Sequence, residues 1–406
     1  MRVSTLLSQQ IGLRTMVEQE SKMLHAMQQL ASGKRVLTPA DDPLAAAQSV
    51  NVAQVASMNT RFAENRAVAA QNLNAQEQTL QEVTTMLQGV YTRIVEAGNG
   101  AYSDAELRSL ADTLRETRES LLGLANATDG SGQYLFSGDR GDLAPYDEHG
   151  ALASPAPAGS RNIQVTQTRV MSSADTAQKV FGRVSPGTQG YVASMGDQFE
   201  GSVSFGRVEF AGNGAGGSDQ YRVSFALGED LGMRVQIHDA AGSELIDQPY
   251  EPGAMLEFDG VRVTLSGTPV AGDEIVFDRL GDLSPENGFD LFNTLDDLIG
   301  ALEEGKSTPE LSARLGNALA TANRKIQLHM DNVLTVRAAG GARMNELDAL
   351  DNEGDSRTLN YASQLSKLED VDYRAASMQL EQQRVALEAA QLAYLKVQGL
   401  SLFQRG

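Results

Sequence analysis

Two segments of this 406-residue chain have the spacing of phosphate-binding loops. Gly300-Ala-Leu-Glu-Glu-Gly305-Lys306-Ser307 fits the P-loop pattern, in which a strand feeds a Gly-rich turn whose backbone N–H groups cradle phosphates at the start of a helix. Here Phe292, Leu295, Ile299 and Leu302 precede and overlap it at helical spacing, so the required strand is missing, and Glu303 and Glu304 would meet phosphates with like charge. The segment reads as a helix stopped by Gly305, with a nucleotide-binding protein as the remote alternative. Gly212-Asn-Gly214-Ala-Gly-Gly217 has the dinucleotide spacing, yet Tyr221-Arg-Val-Ser-Phe225 follows with a strand pattern where that motif needs a helix. It reads as a hairpin loop. Asp41-Asp42 and Asp296-Asp297 could do acid/base work only beside His, Arg or aromatic partners, and the four His, at 25, 149, 238 and 329, are scattered. Cysteine is absent, which excludes thiolate metal sites, disulfides and cysteine nucleophiles. The expectation is no enzyme, with catalytic residues, cofactor and metal all none.

The elements that would hold such residues fall into two materials. Residues 138–286 carry 22 of the 39 Gly and 8 of the 11 Pro, and a charge of −12 out of −20. Within them Tyr221-Arg-Val-Ser-Phe, Met233-Arg-Val-Gln-Ile and Val261-Arg-Val-Thr-Leu alternate apolar with polar between turn residues, the pattern of antiparallel strands with one wet face. The flanks have a period near 3.5. From 45 to 97 the apolar seam is Val52, Val55, Phe62, Ala69, Leu73, Leu80, Val83, Leu87, Val90 and Ile94, interrupted by Asn59, Arg66 and Gln76, polar positions of the kind that fix register. That predicts a helix of roughly 80 Å. Ser103 and Glu106 form a capping box for a second helix, and Thr308-Pro309 starts a third bearing Leu315, Leu319, Ala322, Ile326, Val333, Val336, Leu347 and Leu350. The predicted class is α+β, a long antiparallel α-helical rod, coiled-coil-like, built from N- and C-terminal segments, with an inserted antiparallel β-rich domain. Its expected divisions are 1–42 with 356–406 as terminal assembly segments, 43–140 with 285–355 as the rod, and 141–284 as the β-rich outer domain.

The ends are the most informative. Leu6, Leu13, Met16, Met23, Met27 and Leu30 make one seam near the N-terminus. Near the C-terminus Val371, Met378, Val385 and Leu392 form one stripe, and Tyr373, Leu380, Leu387 and Tyr394 another about 200° round the helix. Two opposed stripes require burial on two sides, which a neighbouring subunit would supply. The expected assembly interface is Leu6, Leu13, Met16, Met23, Leu30, Met378, Leu380, Val385, Leu387, Leu392 and Tyr394. No stretch is apolar enough to span a membrane, the first ten residues lack the apolar core of a cleavable signal, and the acidic balance argues against nucleic acid.

Leu30-Ala-Ser-Gly-Lys-Arg-Val-Leu-Thr-Pro-Ala-Asp-Asp-Pro43 resembles the N-terminal block of the flagellin-like family, and Arg337-Ala-Ala-Gly-Gly-Ala-Arg-Met-Asn-Glu-Leu347 and Leu368-Glu-Asp-Val-Asp-Tyr373 resemble its C-terminal blocks. Asp42-Pro43, Tyr134-Leu-Phe-Ser-Gly138 and Tyr394-Leu-Lys-Val-Gln-Gly-Leu-Ser-Leu-Phe403 look most like its hook–filament junction members. The signature residues are Ser32, Gly33, Asp41, Asp42, Pro43, Tyr134, Phe136, Gly138, Glu369, Asp370 and Tyr373. The similarity covers about 1–140 and 285–406. It implies a flagellar adaptor without catalysis, exported unfolded through the flagellar type III apparatus, with a flagellin that forms the filament itself as the rival reading. Implied partners are other copies in a ring, a hook-side junction protein (hook-associated protein 1), flagellin, and an export chaperone at the C-terminal segment. Locally, Gly33 would supply a positive φ to end the first helix, and Asp41 or Asp42 would cap the next.

Overall fold

The computed structural model describes residues 5–154, 159–196, 199–212, 217–229, 231–285 and 289–402. Helices α1 (Thr5–Ser32), α2 (Pro43–Ala97) and α3 (Asp104–Ala125) come first. Eleven strands and one short helix follow among the described residues: β1 (Asn162–Gln164), β2 (Val170–Ser172), α4 (Ala177–Phe181), β3 (Tyr191–Met195), β4 (Ser204–Phe205), β5 (Glu209–Phe210), β6 (Gln220–Leu227), β7 (Met233–Asp239), β8 (Glu244–Pro249), β9 (Met255–Phe258), β10 (Val261–Ser266) and β11 (Glu274–Arg279). Helices α5 (Leu291–Glu304), α6 (Pro309–Glu369) and α7 (Tyr373–Leu402) close the chain. The architecture is α+β, and the chain forms two compact units, Met1–Glu64 with Ala349–Gly406, and Asn65–Asp348.

In the Asn65–Asp348 unit the heptad seam is a dry core. Ala69, Leu73, Leu80, Val83, Leu87, Val90 and Ile94 of α2 are at most 3% exposed, and Leu315, Leu319, Ala322, Ile326, Val333 and Val336 of α6 are buried with them. Each buried leucine, isoleucine or valine among them contributes roughly 1.5–3 kcal/mol. Glu77 accepts from Arg337 Nε at 3.0 Å while, further along α2, Ile94 borders the same groove as Leu319, so α2 and α6 run antiparallel. Ser103 Oγ accepts from Glu106 N while Glu106 returns a bond to Ser103 N, so α3 starts on the expected capping box and packs on α5.

The strands form a five-stranded antiparallel sheet, order β3-β11-β6-β7-β8, and a second group in which β10 pairs β4, β5 and β9. Tyr221, Val223, Phe225, Val235, Ile237, Val261, Val263, Leu265, Ile275 and Phe277 meet in one core, because alternation puts every second side chain on the covered face. Tyr146, Ala177, Val180 and Phe181 fall inside the Gly- and Pro-rich stretch and the expected β-rich domain, yet they join Phe136 in the helical core. Phe136 meets Phe181 edge-on at 5.5 Å, and Tyr146 meets Phe292 at 4.7 Å.

Residues 161–181 are also tied to the helices by polar side chains. Asn65 Nδ2 donates to Gln164 O, Arg66 Nη1 to Val165 O, Arg343 Nη1 to Ser172 O, and Asn332 Nδ2 to Val180 O. Asp175, 1% exposed, takes Lys179 Nζ at 2.5 Å, Gln76 Nε2 at 3.3 Å and the Arg343 guanidinium. Burial raises its pKa, but the bonds from Lys179 and Arg343 outweigh that and hold the carboxyl below its usual value. Two of the polar residues in the α2 seam, Arg66 and Gln76, therefore face this strap. In the other unit the third, Asn59, donates to Gly354 O and Thr358 Oγ1, both at 2.9 Å, across to α6.

Candidate assembly interface

In the unit formed by Met1–Glu64 and Ala349–Gly406, α1 packs on α7. The two run antiparallel: a Cβ on Gly12 would meet Tyr394 Cδ2 at 2.9 Å, and one on Gly33 would meet the Tyr373 hydroxyl at 3.1 Å. Glycine at 12 lets the backbone approach the tyrosine ring closely.

The corner between α1 and α2 is a dense polar junction. Gly33 takes φ +72°, which ends α1, and turns the chain so that Lys34 bridges Asp370. Arg35 N donates to Glu369 O at 2.6 Å and Val371 N to Gly33 O at 2.9 Å, a two-bond backbone splice joining chain positions more than 330 apart. Lys34 Nζ holds Glu369 Oε2 at 2.8 Å, and Arg35 reaches Leu368 O with Nη2 and Asp42 Oδ2 with Nη1. The two aspartates divide the capping. Asp41 Oδ2 accepts from Leu37 N and Thr38 N within the corner, and His25 Nε2 stands 3.3 Å from its other oxygen. Asp42 Oδ1 accepts from Ala45 N, capping α2 just before Pro43. Backbone donors hold both carboxyls below their usual pKa, that of Thr38 foremost for Asp41 and that of Ala45, then Arg35, for Asp42; Lys34 does the same for Glu369. Asp372 caps α7 through Arg374 N.

The expected interface residues divide by face. Met16, Met23 and Leu30 of α1, and Leu380, Leu387 and Tyr394 of α7, are half-buried along the pairing line. Leu13, Met378, Val385 and Leu392 are exposed, at 53, 61, 57 and 63%. Leu6 lies in α1, but its side chain is outside the described residues, as is Phe403. Tyr373, placed by sequence on the inner stripe with Leu380, is 59% exposed at the first turn of α7. Met27, placed in the α1 seam, is exposed too, as is Val55 of α2. Sequence reasoning missed the rest of the outer α1 face, Leu7, Ile11, Val17 and Leu24, each at least 50% exposed. The signal was there: Leu7, Val17 and Leu24 stand beside seam positions, but a single-seam template counts one stripe only. It also missed Lys34 and Arg35, whose basic pair is the complement of the acids at 369 and 42.

Three signature residues lie elsewhere. Tyr134 N donates to Gly141 O, Phe136 is fully buried in the helical core, and Gly138 has φ +57° with no room for a Cβ beside Thr176. Ser32 Oγ takes Lys34 N at 3.2 Å.

The loops with phosphate-binding spacing are built for other ends. Residues Leu291–Glu304 are helical, Gly305 turns at φ +78°, Lys306 N donates to Asp104 Oδ1 at 3.0 Å and Lys306 Nζ to Gly100 O at 2.7 Å, so the lysine is committed to the α2–α3 turn. After Gly217 comes strand β6; positions 213–216 lie outside the described residues. Among the described residues no group of three or more His, Asp or Glu could hold a metal, and no helix is long and apolar enough to cross a membrane.

A model of the bacterial flagellin N-terminal helical region matches residues 3–140. The flagellar hook-associated protein 3 of Escherichia coli K12 is 29% identical over 406 residues, covering all of this chain and 99% of that relative, and that of Salmonella typhimurium LT2 is 28% identical over equal shares. The chain resembles the flagellin-like family over its first third, and hook-associated protein 3 along its full length. Its role is a flagellar structural one. The crystal structure of FlgL from Xanthomonas campestris superposes with a TM-score of 0.66 at 25% identity, over 77% of this chain and 99% of that one. Hook-associated protein 3 of Legionella pneumophila shares the fold, with a TM-score of 0.67 at 22% identity over 78% and 98%.

Proposed function

We propose that this chain joins hook to filament, with α1 and α7 as the assembly element. The observation that carries this reading is the opposed exposure of that pair: its inner line is half-buried, while Leu13, Val17, Met378, Val385 and Leu392 stand more than half exposed outside it. Apolar surface of that extent on both helices of a pair calls for neighbours. The neighbours are other copies in a ring, the hook-side junction protein (hook-associated protein 1) below and flagellin above. The corner at residues 32–43 and 368–373 sets the angle at which the pair leaves α2 and α6, so Ser32, Gly33, Asp41, Asp42, Pro43, Glu369, Asp370 and Tyr373 are positioning residues. Strands β3 to β11 form the outer β-rich domain, with residues 141–181 of the expected 141–284 packed on the helices instead, and a charge concentrated at −12 over 138–286 keeps the surface solvated. The chain is exported unfolded through the flagellar type III apparatus, with a chaperone on its C-terminal segment. Its lack of cysteine suits such a passage.

Met378→Asp with Leu392→Asp tests the reading. Both positions are exposed in the monomer, so the purified variant keeps its melting temperature, and immunogold labelling finds it missing from hook tips, with filaments lost. Normal labelling and normal filaments overturn the proposal. Polymerisation of the purified wild-type chain into long filaments favours a filament-forming flagellin instead.

A further inference from the structure

A groove of about 710 Å³ runs in the Asn65–Asp348 unit between the end of α2, α6 and the strand region around β3 and β4. Ile94, Val95, Val208 and Leu319 give it apolar walls beside polar Thr321, Asn323 and Gln327, and two guanidinium groups border it, Arg207 and Arg324. No carboxylate lines it, in a chain with 53 acidic residues against 33 basic ones. Among the described residues neither arginine has an ion pair or hydrogen bond. Val95 is left 53% exposed at the rim.

The complementary surface is on the same molecule, at the turn between β6 and β7. Leu231 is 82% exposed, more than any other large apolar side chain among the described residues, and Leu227 is 60% exposed. Between them Glu229 is exposed and carries no ion pair. Leu231 also holds φ +60°, a strained conformation for a branched side chain, closed by its N–H to Gly228 O at 3.0 Å. An acidic, apolar tip and a basic groove with apolar walls on one chain make a heterologous pair, the kind of contact that closes identical subunits into a ring.

We propose that the β6–β7 tip of one copy seats Leu227 and Leu231 in the groove of the next, with Glu229 paired to Arg207 and Arg324. This rests on the reading above that copies stand side by side in a ring. Because the acidic tip and the basic groove that complements it are carried by the same chain, the occupant is a second copy.

Because the chain has no cysteine, engineered pairs report cleanly. Leu231→Cys with Val95→Cys places both thiols at exposed positions, and hook–filament complexes isolated from cells making only this variant are oxidised and run on a denaturing gel. The expected result is a ladder of covalent dimers and larger species, absent from either single variant. A variant that incorporates but stays monomeric, or that cross-links to a different polypeptide, overturns the contact and leaves the junction role standing. Absence of the unaltered chain from hook tips overturns the junction role itself. As a second arm, Arg207→Glu with Arg324→Glu, checked for unchanged melting, lowers incorporation at least tenfold, and adding Glu229→Arg restores part of it; wild-type incorporation of the folded double reversal also overturns the proposal.

Discussion

The two units spend their apolar residues in opposite ways. Within Asn65–Asp348 the helices enclose a dry core: Leu87, Val90, Phe136 and Phe292 are fully buried, and the buried carboxylate of Asp175 is enclosed by Lys179, Gln76 and Arg343. In the unit containing α1 and α7 the only buried apolar residues among the described ones are Ala26, Ala45 and Ala376, while leucines and valines stand outside. The first unit completes its core within itself. The second has a precise corner and an unfinished helix pair, the division expected when geometry must be fixed before assembly and burial comes from assembly.

The sharpest way to break that contrast is to remove equal apolar groups from both. Phe292→Ala should cost about 3–5 kcal/mol of unfolding free energy in a denaturant melt, whereas Leu392→Ala should move the monomer by less than about 0.5 kcal/mol and yet reduce incorporation. Equal losses in the monomer would erase the distinction. Asp175→Asn removes one partner of a buried ionic cluster, and the expected cost is about 3 kcal/mol, with the strap at 161–181 losing hydrogen-exchange protection first. An unchanged melt would show that the strap is held by its apolar contacts alone.

A smaller effect belongs to the corner. Gly33→Ala forces an L residue to φ +72° against the Tyr373 hydroxyl, and about 1–2 kcal/mol of local destabilisation is expected, read as faster exchange in 30–45 and 366–376 but not in α3 or α5. The corner is also acid-labile. Asp41, Asp42 and Glu369 have folded pKa values below their unfolded ones, so their contribution is complete above the unfolded values and is lost as pH falls through the folded ones. His329 acts in the same direction in the other unit. Its imidazole, stacked on Phe289 at 4.4 Å with neither nitrogen bonded, is pushed down to about 3 by burial and by Lys325, so stability drains as pH drops from 6.5 toward 3. His329→Phe should flatten that slope in an acid titration and leave the slope at the corner.

Much of this was legible in sequence where one rule decided the outcome. The capping box at Ser103, the α2 seam from Ala69 to Ile94, the alternation of β6, β7 and β10, and the positive φ at Gly33 all follow from local chemistry. What escaped needed knowledge of long-range partners. Arg66 and Gln76 read as register-fixing polar interruptions, but their partners, Val165 O and Asp175, sit 99 residues away. The strap was masked by its Gly- and Pro-rich surroundings, since composition marks turns and not the surface they pack on. At the ends, periodicity found two stripes on α7 and only one on α1, because the outer α1 face is broken by polar residues such as Arg14 and Glu18.

Hydrogen exchange of the free chain against the same chain in isolated hook–filament complexes reads out whether α1 and α7 gain their burial from assembly. The account predicts fast exchange along α1 and α7 in the monomer, strong protection of both in the complex, and little change in α2, α5 and α6 between Asn65 and Asp348. Equal protection of α1 and α7 in the free chain and in the complex would contradict it.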